Sequence, residues 1–487
     1  MKITKYIAVG LIGMTALSCT KLEEFNKDTK HPEEVTGNTL FSNALRNMCD
    51  QETSTNVNRN VFRLFAQYWT ETTYTDESNY NITTRSIPDY AWRTWYRDVL
   101  GNFQQAAKVI GEETTLTTSE EVAKSNRLAI IEILNVYAYQ HLVDLFGNIP
   151  YSQALNIGNV LPKYDDAAAI YVDLISRLDA ANSALNTGGS SFANGSDMIY
   201  NGDVAKWKTF ANSLKLKLGI ALADADATLA KNTVESAYGA GVISGAGDNA
   251  ALQYFASSPN TNPLYVDLEL SGRKDFIPAN TLVDLMNNLN DPRRNDYFMD
   301  NLSDSLGPIY KGGIYGASNS YGSYTHIDDT TIVKNPTLEM LLLDYTEVQF
   351  YLAEAAERGY SVGGTVEDYY KSGITSSILY WGGTIKEDST YQAQTDVAFS
   401  SAPGTNLEKI GTQAWLAFYN RGFLGWTTWR RLDAPAFNPP TGLTTADIPK
   451  RYTYPANEQT LNTASYTSAA SAIGGDELTT KLFWDKN

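Results

Sequence analysis

Residues 346–359 read TEVQFYLAEAAERG, and residues 366–380 read VEDYYKSGITSSILY. In the first stretch Thr346 and Gln349 have capping-box spacing at a helix start, and Gly359 supplies a stop. In the second, apolar residues return at helical spacing after a short Gly-containing turn. Ala353, Ala355 and Ala356 put small side chains on one helix, so its partner can approach closely. The pattern predicts two helices folded back on each other.

Such a pair resembles a tetratricopeptide-type unit, which needs stacked neighbours because it cannot bury its faces alone. Residues 407–420 (LEKIGTQAWLAFYN) and 423–431 (FLGWTTWRR) read as another pair. Residues 167–185 carry Ile170, Leu174, Leu178, Ala181 and Leu185 in helical register, with Asp166 placed to cap them. The expected partner, 127–146, is apolar nearly all round and so belongs in the interior, with Gly147 to end it. A further helix over 204–223 starts after Asp203. The fold class is therefore mostly α, an irregular bundle of helix pairs. Long loops interrupt it at 70–92, 147–164, 186–202, 257–277, 301–335, 382–406 and 434–480. Small β-hairpins fit within 310–335, with Gly312-Gly313 as a turn.

The chain opens on a basic start (Lys2, Lys5), an apolar run from Tyr6 to Leu17, and then Ser18-Cys19. The run is too short for a membrane-spanning helix and reads as a secretory leader, residues 1–18. A cysteine at its exit predicts lipidation of Cys19. At about 0.8 kcal/mol per buried CH₂, two or more acyl chains hold a protein on a bilayer. Residues 19–36 are polar and form a tether, leaving 37–487 as one helical domain. No later stretch is apolar enough to span a membrane.

The formal charge of −17 argues against nucleic acid and against anionic lipid, so membrane attachment rests on the lipid. An acidic chain with few loop arginines favours neutral or cationic ligands. Of two cysteines, Cys19 is committed to lipid, which leaves Cys49 as a buried free thiol and no disulfide framework.

Catalytic and metal motifs are missing. The three histidines are His31 in the tether, His141 on an apolar helix, where a satisfied core role is expected, and His326. No zinc spacing, nucleophile elbow, phosphate loop or calcium loop is present. No cofactor or metal is expected. Glu354 and Glu357 read as solvent-facing or locally paired, Asp344 and Glu347 as helix-start charges, and Asp433 as part of a structural cluster with Trp429, Arg430 and Arg431.

The positive signal is aromatic. The chain has 31 Tyr against 17 Phe, with nine Trp, and many sit in polar loops where a flat ring with a polar tip suits recognition. Residues 69–96 hold Trp69, Tyr74, Tyr80, Tyr90, Trp92, Trp95 and Tyr96 among Asp76, Asn79, Asn81 and Arg85. Residues 310–326 hold Tyr310, Tyr315, Tyr321 and Tyr324 among glycines. Ring faces stack on the C–H face of a sugar while amides, carboxylates and guanidiniums bond its hydroxyls. The candidate ligand-binding set is Trp69, Tyr74, Asn79, Tyr80, Tyr90, Trp92, Arg273, Tyr315, Tyr321 and Tyr324. The competing reading is that these rings pin loops to the core, which is the reading preferred for Trp95 and Tyr96. The two aromatic loops are expected to share one face.

Several motifs in order carry a family resemblance. They run from Phe25-Asn26-Lys27-Asp28 through 141–151 (HLVDLFGNIPY), 161–165 (LPKYD) and 197–207 (DMIYNGDVAKW). They continue with 353–359 (AEAAERG), Trp429-Arg430-Arg431, 448–455 (IPKRYTYP) and Phe483-Trp484-Asp485. Across essentially the whole mature chain they resemble the SusD/RagB family of Bacteroidetes outer-membrane lipoproteins, in particular its SusD-like second branch. One departure, Thr29-Lys30-His31-Pro32 where the family often has Pro-Asn, touches only the tether. The resemblance implies about four tetratricopeptide-like helix pairs behind a loop-rich binding face. It also implies a lipid-anchored position on the outer membrane facing the exterior, and a non-catalytic role. In that role the protein is a hinged lid that delivers glycans to a SusC-like TonB-dependent barrel. Oligopeptide capture on the same scaffold, a surface glycoside hydrolase, and a lid with no affinity of its own are the alternatives.

Overall fold

The computed structural model describes residues 35–486. The leader, Cys19, His31 and the tether up to residue 34 lie outside them. The first helix, Gly37–Thr53, starts where the Thr36 hydroxyl accepts the Thr39 N–H at 3.2 Å. It packs against a continuous helical run made of Ile87–Arg93, the wider π turns of Thr94–Leu100, and Gly101–Glu112.

Four helix pairs follow. They are Thr118–Phe146 with Ala167–Ala184, Val204–Ala221 with Ala227–Ala240, Tyr345–Glu357 with Val366–Tyr380, and Asn406–Ala417 with Gly422–Leu432. Each pair touches the next. Ala167–Ala184 lies on Val204–Ala221, which lies on Tyr345–Glu357, which lies on Asn406–Ala417. The chain is thus mostly α and built on four such pairs, as the periodicity and the resemblance predict. Among the described residues no helix is long and apolar enough to cross a membrane.

The helices begin where the sequence offers an oxygen to an orphan N–H. Asp166 accepts from Ala169 at 2.9 Å, and Asp203 accepts from Lys206 at 3.1 Å. Thr117 with Glu120, Thr365 with Asp368, and Thr405 with Glu408 form capping boxes. The capping box expected at Thr346 and Gln349 is not the one used. The cap is Asp344, whose carboxylate accepts the Glu347 N–H at 3.1 Å. Thr346 is instead buried inside the helix and bonds Ser376 at 2.8 Å. A carboxylate at the positive end of the helix dipole is the better cap. Loop 382–406 also hides a helix, Ile385–Gln392, with its own Thr384/Glu387 box.

The described residues share one continuous apolar core. Each large side chain buried in it stabilises the fold by about 1.5–3 kcal/mol. Motifs far apart in sequence meet in it. Asp144 accepts the Tyr171 hydroxyl at 2.5 Å and the Trp484 indole N–H at 2.9 Å. Arg451 donates to the Phe146 carbonyl at 3.1 Å and to Asp476 at 2.7 Å, and Tyr454 donates to the Asn148 carbonyl at 2.8 Å. Asp197 gathers the Trp207 indole N–H at 2.6 Å with the N–H groups of Ile199 and Gly202, both at 2.9 Å. These segments hold the helix pairs to the C-terminal tail.

One expectation about charge changes with burial. Glu354 is buried rather than solvent-facing, and it pairs with Arg431 and, at 3.0 Å, with Arg358. His141 is a core residue, stacked between Phe423 at 3.7 Å and Trp95 at 4.1 Å. Burial holds its pKa well below the usual value, so the ring is neutral. Its Nδ1 lies 3.7 Å from Glu52, while Nε2 has no hydrogen-bond partner among the described residues. Cys49 is a buried free thiol. Asp433 lies 3.7 Å from Lys450, whose ammonium sits 4.0 Å over the Trp429 ring.

Strands are short, and the pairing that shapes the site is long-range. Trp69–Glu71 runs antiparallel to Phe276–Pro278, with Trp69 opposite Pro278, Thr70 opposite Ile277 and Glu71 opposite Phe276. A hairpin joins Ser303–Asp304 to Gly307–Pro308. The turn expected at Gly312-Gly313 is not a hairpin turn. A Cβ on Gly312 would stand 2.4 Å from the Asn280 Cα, and one on Gly313 2.4 Å from the Ile277 side chain, so these glycines permit close backbone contact.

Candidate functional site: a loop cleft beside the Trp69–Glu71 ribbon

The first helix ends at Thr53, and the next residues turn sharply. Arg63 fixes this turn from below by donating to the carbonyls of Ser54 and Thr53 at 3.1 and 2.9 Å. Asp267, on the π-helical segment Tyr265–Leu270, accepts from the Ser54 hydroxyl at 2.8 Å and the Thr55 N–H at 3.1 Å. The turn therefore presents Asn56 and Asn58 outward, both exposed. Opposite, the ribbon brings the segment after Glu71 beside the segment before Phe276.

Between these walls lies a cavity of about 290 Å³. Asn56, Asn58, Tyr74, Arg85, Asp267 and Arg273 are among the residues that line it. Tyr74 is 71% exposed and sits at a φ of 54°, a left-handed conformation uncommon outside glycine. Arg273 pairs with Asp275. Arg85 pairs at 2.5 Å with the buried Glu77. Burial, together with the Glu77 carboxyl beside it, pushes the Glu71 pKa up to about 9. Exposed Leu270 and Val266 lie on the same segment as Asp267. The result is one projecting ring, two amides and charged groups around an open cleft, the mix of an apolar face and placed polar groups found in small-molecule sites.

The predicted residues divide into groups. Tyr74 and Arg273 line the cavity together. Tyr90 is partly exposed nearby, with the Arg59 and Arg93 guanidiniums 5.1 and 4.8 Å from its ring centre. Tyr321 stacks on His326 at 3.8 Å, with Lys274 at 5.1 Å, and Tyr324 lies 4.7 Å from Lys311.

Trp69, Tyr80 and Tyr315 are buried and offer no face to a ligand. Trp69 donates to Tyr419 at 3.0 Å, and Tyr315 donates to the Leu64 carbonyl at 2.8 Å. Trp92 is half-buried against Phe146, Tyr96 and Tyr164. Asn79 ties loops together, donating to the Thr75 and Gly316 carbonyls at 2.7 and 2.8 Å. Trp95 is buried and Tyr96 half-buried, as expected of core residues.

The two aromatic loops do touch. Gly316 donates to Thr70 at 3.1 Å, and Asn319 donates to the Thr72 carbonyl at 2.9 Å. Sequence reasoning missed Asn56 and Asn58. The run Asn56-Val57-Asn58-Arg59-Asn60 carries the signal, three amides around one arginine directly after a helix.

Residues 29–455 match the family model SusD-like_2, described as starch-binding associating with outer membrane. The chain belongs to the SusD-like family. Its fold is shared by solved structures of similar size. A chitin-binding protein is 26% identical, with a TM-score of 0.79 over 93% of this chain and all of that one. A SusD homologue from Bacteroides uniformis is 25% identical, with a TM-score of 0.77 over 92% of this chain and 99% of that one. A chitin-binding SusD homologue from Flavobacterium johnsoniae is 24% identical, with a TM-score of 0.76 over 92% and 99%. No curated protein matches the chain.

Proposed function

We propose that this SusD-like protein captures oligo- or polysaccharide at the Tyr74 cleft and delivers it to a SusC-like TonB-dependent transporter. It would do so on the outer face of the outer membrane, anchored by lipid on Cys19, and without catalysis. The observation that carries the reading is the cavity walled by exposed Tyr74, Asn56, Asn58 and Arg273 in a chain of this family. The family description as starch-binding, and the two neighbours named chitin-binding, support a glycan over a peptide. The cleft acids have local work: Asp275 pairs with Arg273, Asp267 holds the turn at Ser54 and Thr55, and Glu71 accepts the Ser78 N–H at 2.9 Å. That favours binding over glycoside hydrolysis, which needs two carboxyl groups facing the scissile bond.

Delivery needs only differential affinity, since a ligand that gains contacts in the closed lid favours the closed state. The test is calorimetry of the full chain in detergent against chito- and malto-oligosaccharides, with product analysis of the same mixtures. Binding without cleavage is the expected result. Cleavage, or silence toward all glycans with binding to oligopeptides, would overturn it.

A further inference from the structure

Most arginines of this acidic chain stand against a carboxylate: Arg46 on Asp50, Arg85 on Glu77, Arg97 on Asp98, Arg273 on Asp275, Arg293 on Asp291 and Arg358 on Asp224. Arg59 and Arg93 do not. Both are exposed, and among the described residues neither side chain has an ion-pair or hydrogen-bond partner. Each guanidinium instead lies against the same ring, Tyr90, at 5.1 and 4.8 Å from its centre.

The acids within reach are committed elsewhere. Asp89, one helical turn before Arg93, accepts the Ala456 N–H at 3.3 Å. Asp50 is bonded to Arg46 at 2.7 Å and to the Tyr254 hydroxyl at 2.8 Å. Two like charges with no direct ion pair of their own, in a chain of net −17, make a local positive site that the average charge conceals.

The pair adjoins the cleft. Arg59 follows Asn58 on the turn that forms one wall, and Tyr90 lies on the helix that begins just after Arg85. The Tyr90 ring holds each guanidinium by a cation–π contact that leaves its N–H edge free. That edge presents paired donors matched to a carboxylate or a sulfate.

We propose that Arg59 and Arg93, gathered over Tyr90, form a subsite for the anionic group of an acidic sugar, a uronate carboxylate or a sulfate ester, at the edge of the cleft. This reverses the expectation of neutral or cationic ligands drawn from net charge, and it rests on the glycan-capture reading.

The test is calorimetry of the full chain in detergent with three probes: oligogalacturonate, a carrageenan oligosaccharide, and a neutral chito-oligosaccharide. Each is measured with the wild type and with the Arg59→Gln, Arg93→Gln double variant. The expected result is binding of at least one anionic probe that weakens tenfold or more in the double variant and several-fold between 50 and 500 mM NaCl. Chito-oligosaccharide affinity should not change with the variant. Binding of oligogalacturonate alone assigns a carboxylate, and of the carrageenan alone a sulfate. Failure of both anionic probes, or a double variant that binds them like the wild type, overturns the subsite. If the neutral probe still binds, glycan capture survives that failure; if none of the three binds, both readings fall.

Discussion

Tyr74 and Arg273, far apart in the chain, wall the same cavity because Glu71 is paired with Phe276 across a three-residue ribbon. The cleft is thus a product of long-range strand pairing, while the helix pairs supply its support. Tyr74 projects from this arrangement with little packed against it. Tyr74→Ala is expected to weaken glycan binding about tenfold and to leave stability within about 0.5 kcal/mol, as for surface changes generally. Calorimetry and a urea titration on the same variant check both halves.

Gly312 has no such latitude. An added Cβ would press on the Asn280 backbone, with Cα at 2.4 Å and N at 2.6 Å, and backbone cannot swing aside as a side-chain tip can. Gly312→Ala is expected to cost about 1–3 kcal/mol, read as a lowered urea midpoint with an unchanged slope.

Arg293 and Asp291 are fully buried together, with the Arg293 Nε–Asp291 contact at 2.9 Å and a further bond from Arg293 to Ser377 at 3.0 Å. Arg293→Met leaves the Asp291 carboxylate without its cation. The expected loss is about 3–5 kcal/mol, the range for breaking a buried pair from one side. A thermal midpoint close to the wild type would refute the assignment.

Glu52 gives the pH dependence a direction. Burial raises its pKa from 4.5 to about 7, against the opposing Tyr137 hydroxyl bond of 2.9 Å. The folded state keeps a proton that the unfolded chain has already released. This group's contribution is therefore full below pH 4.5 and is lost as pH rises toward 7. Glu52→Gln removes the titration. Relative to the wild type, its stability should climb between pH 4.5 and 7 and level off at up to about 3 kcal/mol, at 1.36 kcal/mol per pKa unit. Denaturant titrations at pH 4, 5.5, 7 and 8.5 measure the difference.

The helix pairs were legible because periodicity and caps are local. Asp166, Asp203 and the 366–380 register could be read directly from neighbouring residues. The Asp344 cap was missed because a plausible box lay two residues later, and only burial of Thr346 decides between them. The candidate cleft was half legible. Tyr74 and Arg273 were named, but Trp69, Tyr80 and Tyr315 came with them because polar neighbours made their segments look solvated. Those neighbours are themselves buried: Thr70, Glu71, Glu77 and Ser78 are all inside. Glu71 accepts the Ser78 N–H at 2.9 Å, so the loop satisfies its own polar groups. Sequence spacing carries no sign of that closure, which depends on a partner strand some two hundred residues away.

The bonds from Asn79 to Gly316, Gly316 to Thr70 and Asn319 to Thr72 have a practical consequence for re-aiming the protein. Segments 69–81, 271–278 and 312–319 are stitched to one another, so grafting any one of them from a relative would leave its seams unmatched. The natural unit of transplantation is the three together, carried as a cassette on an unaltered helical chassis.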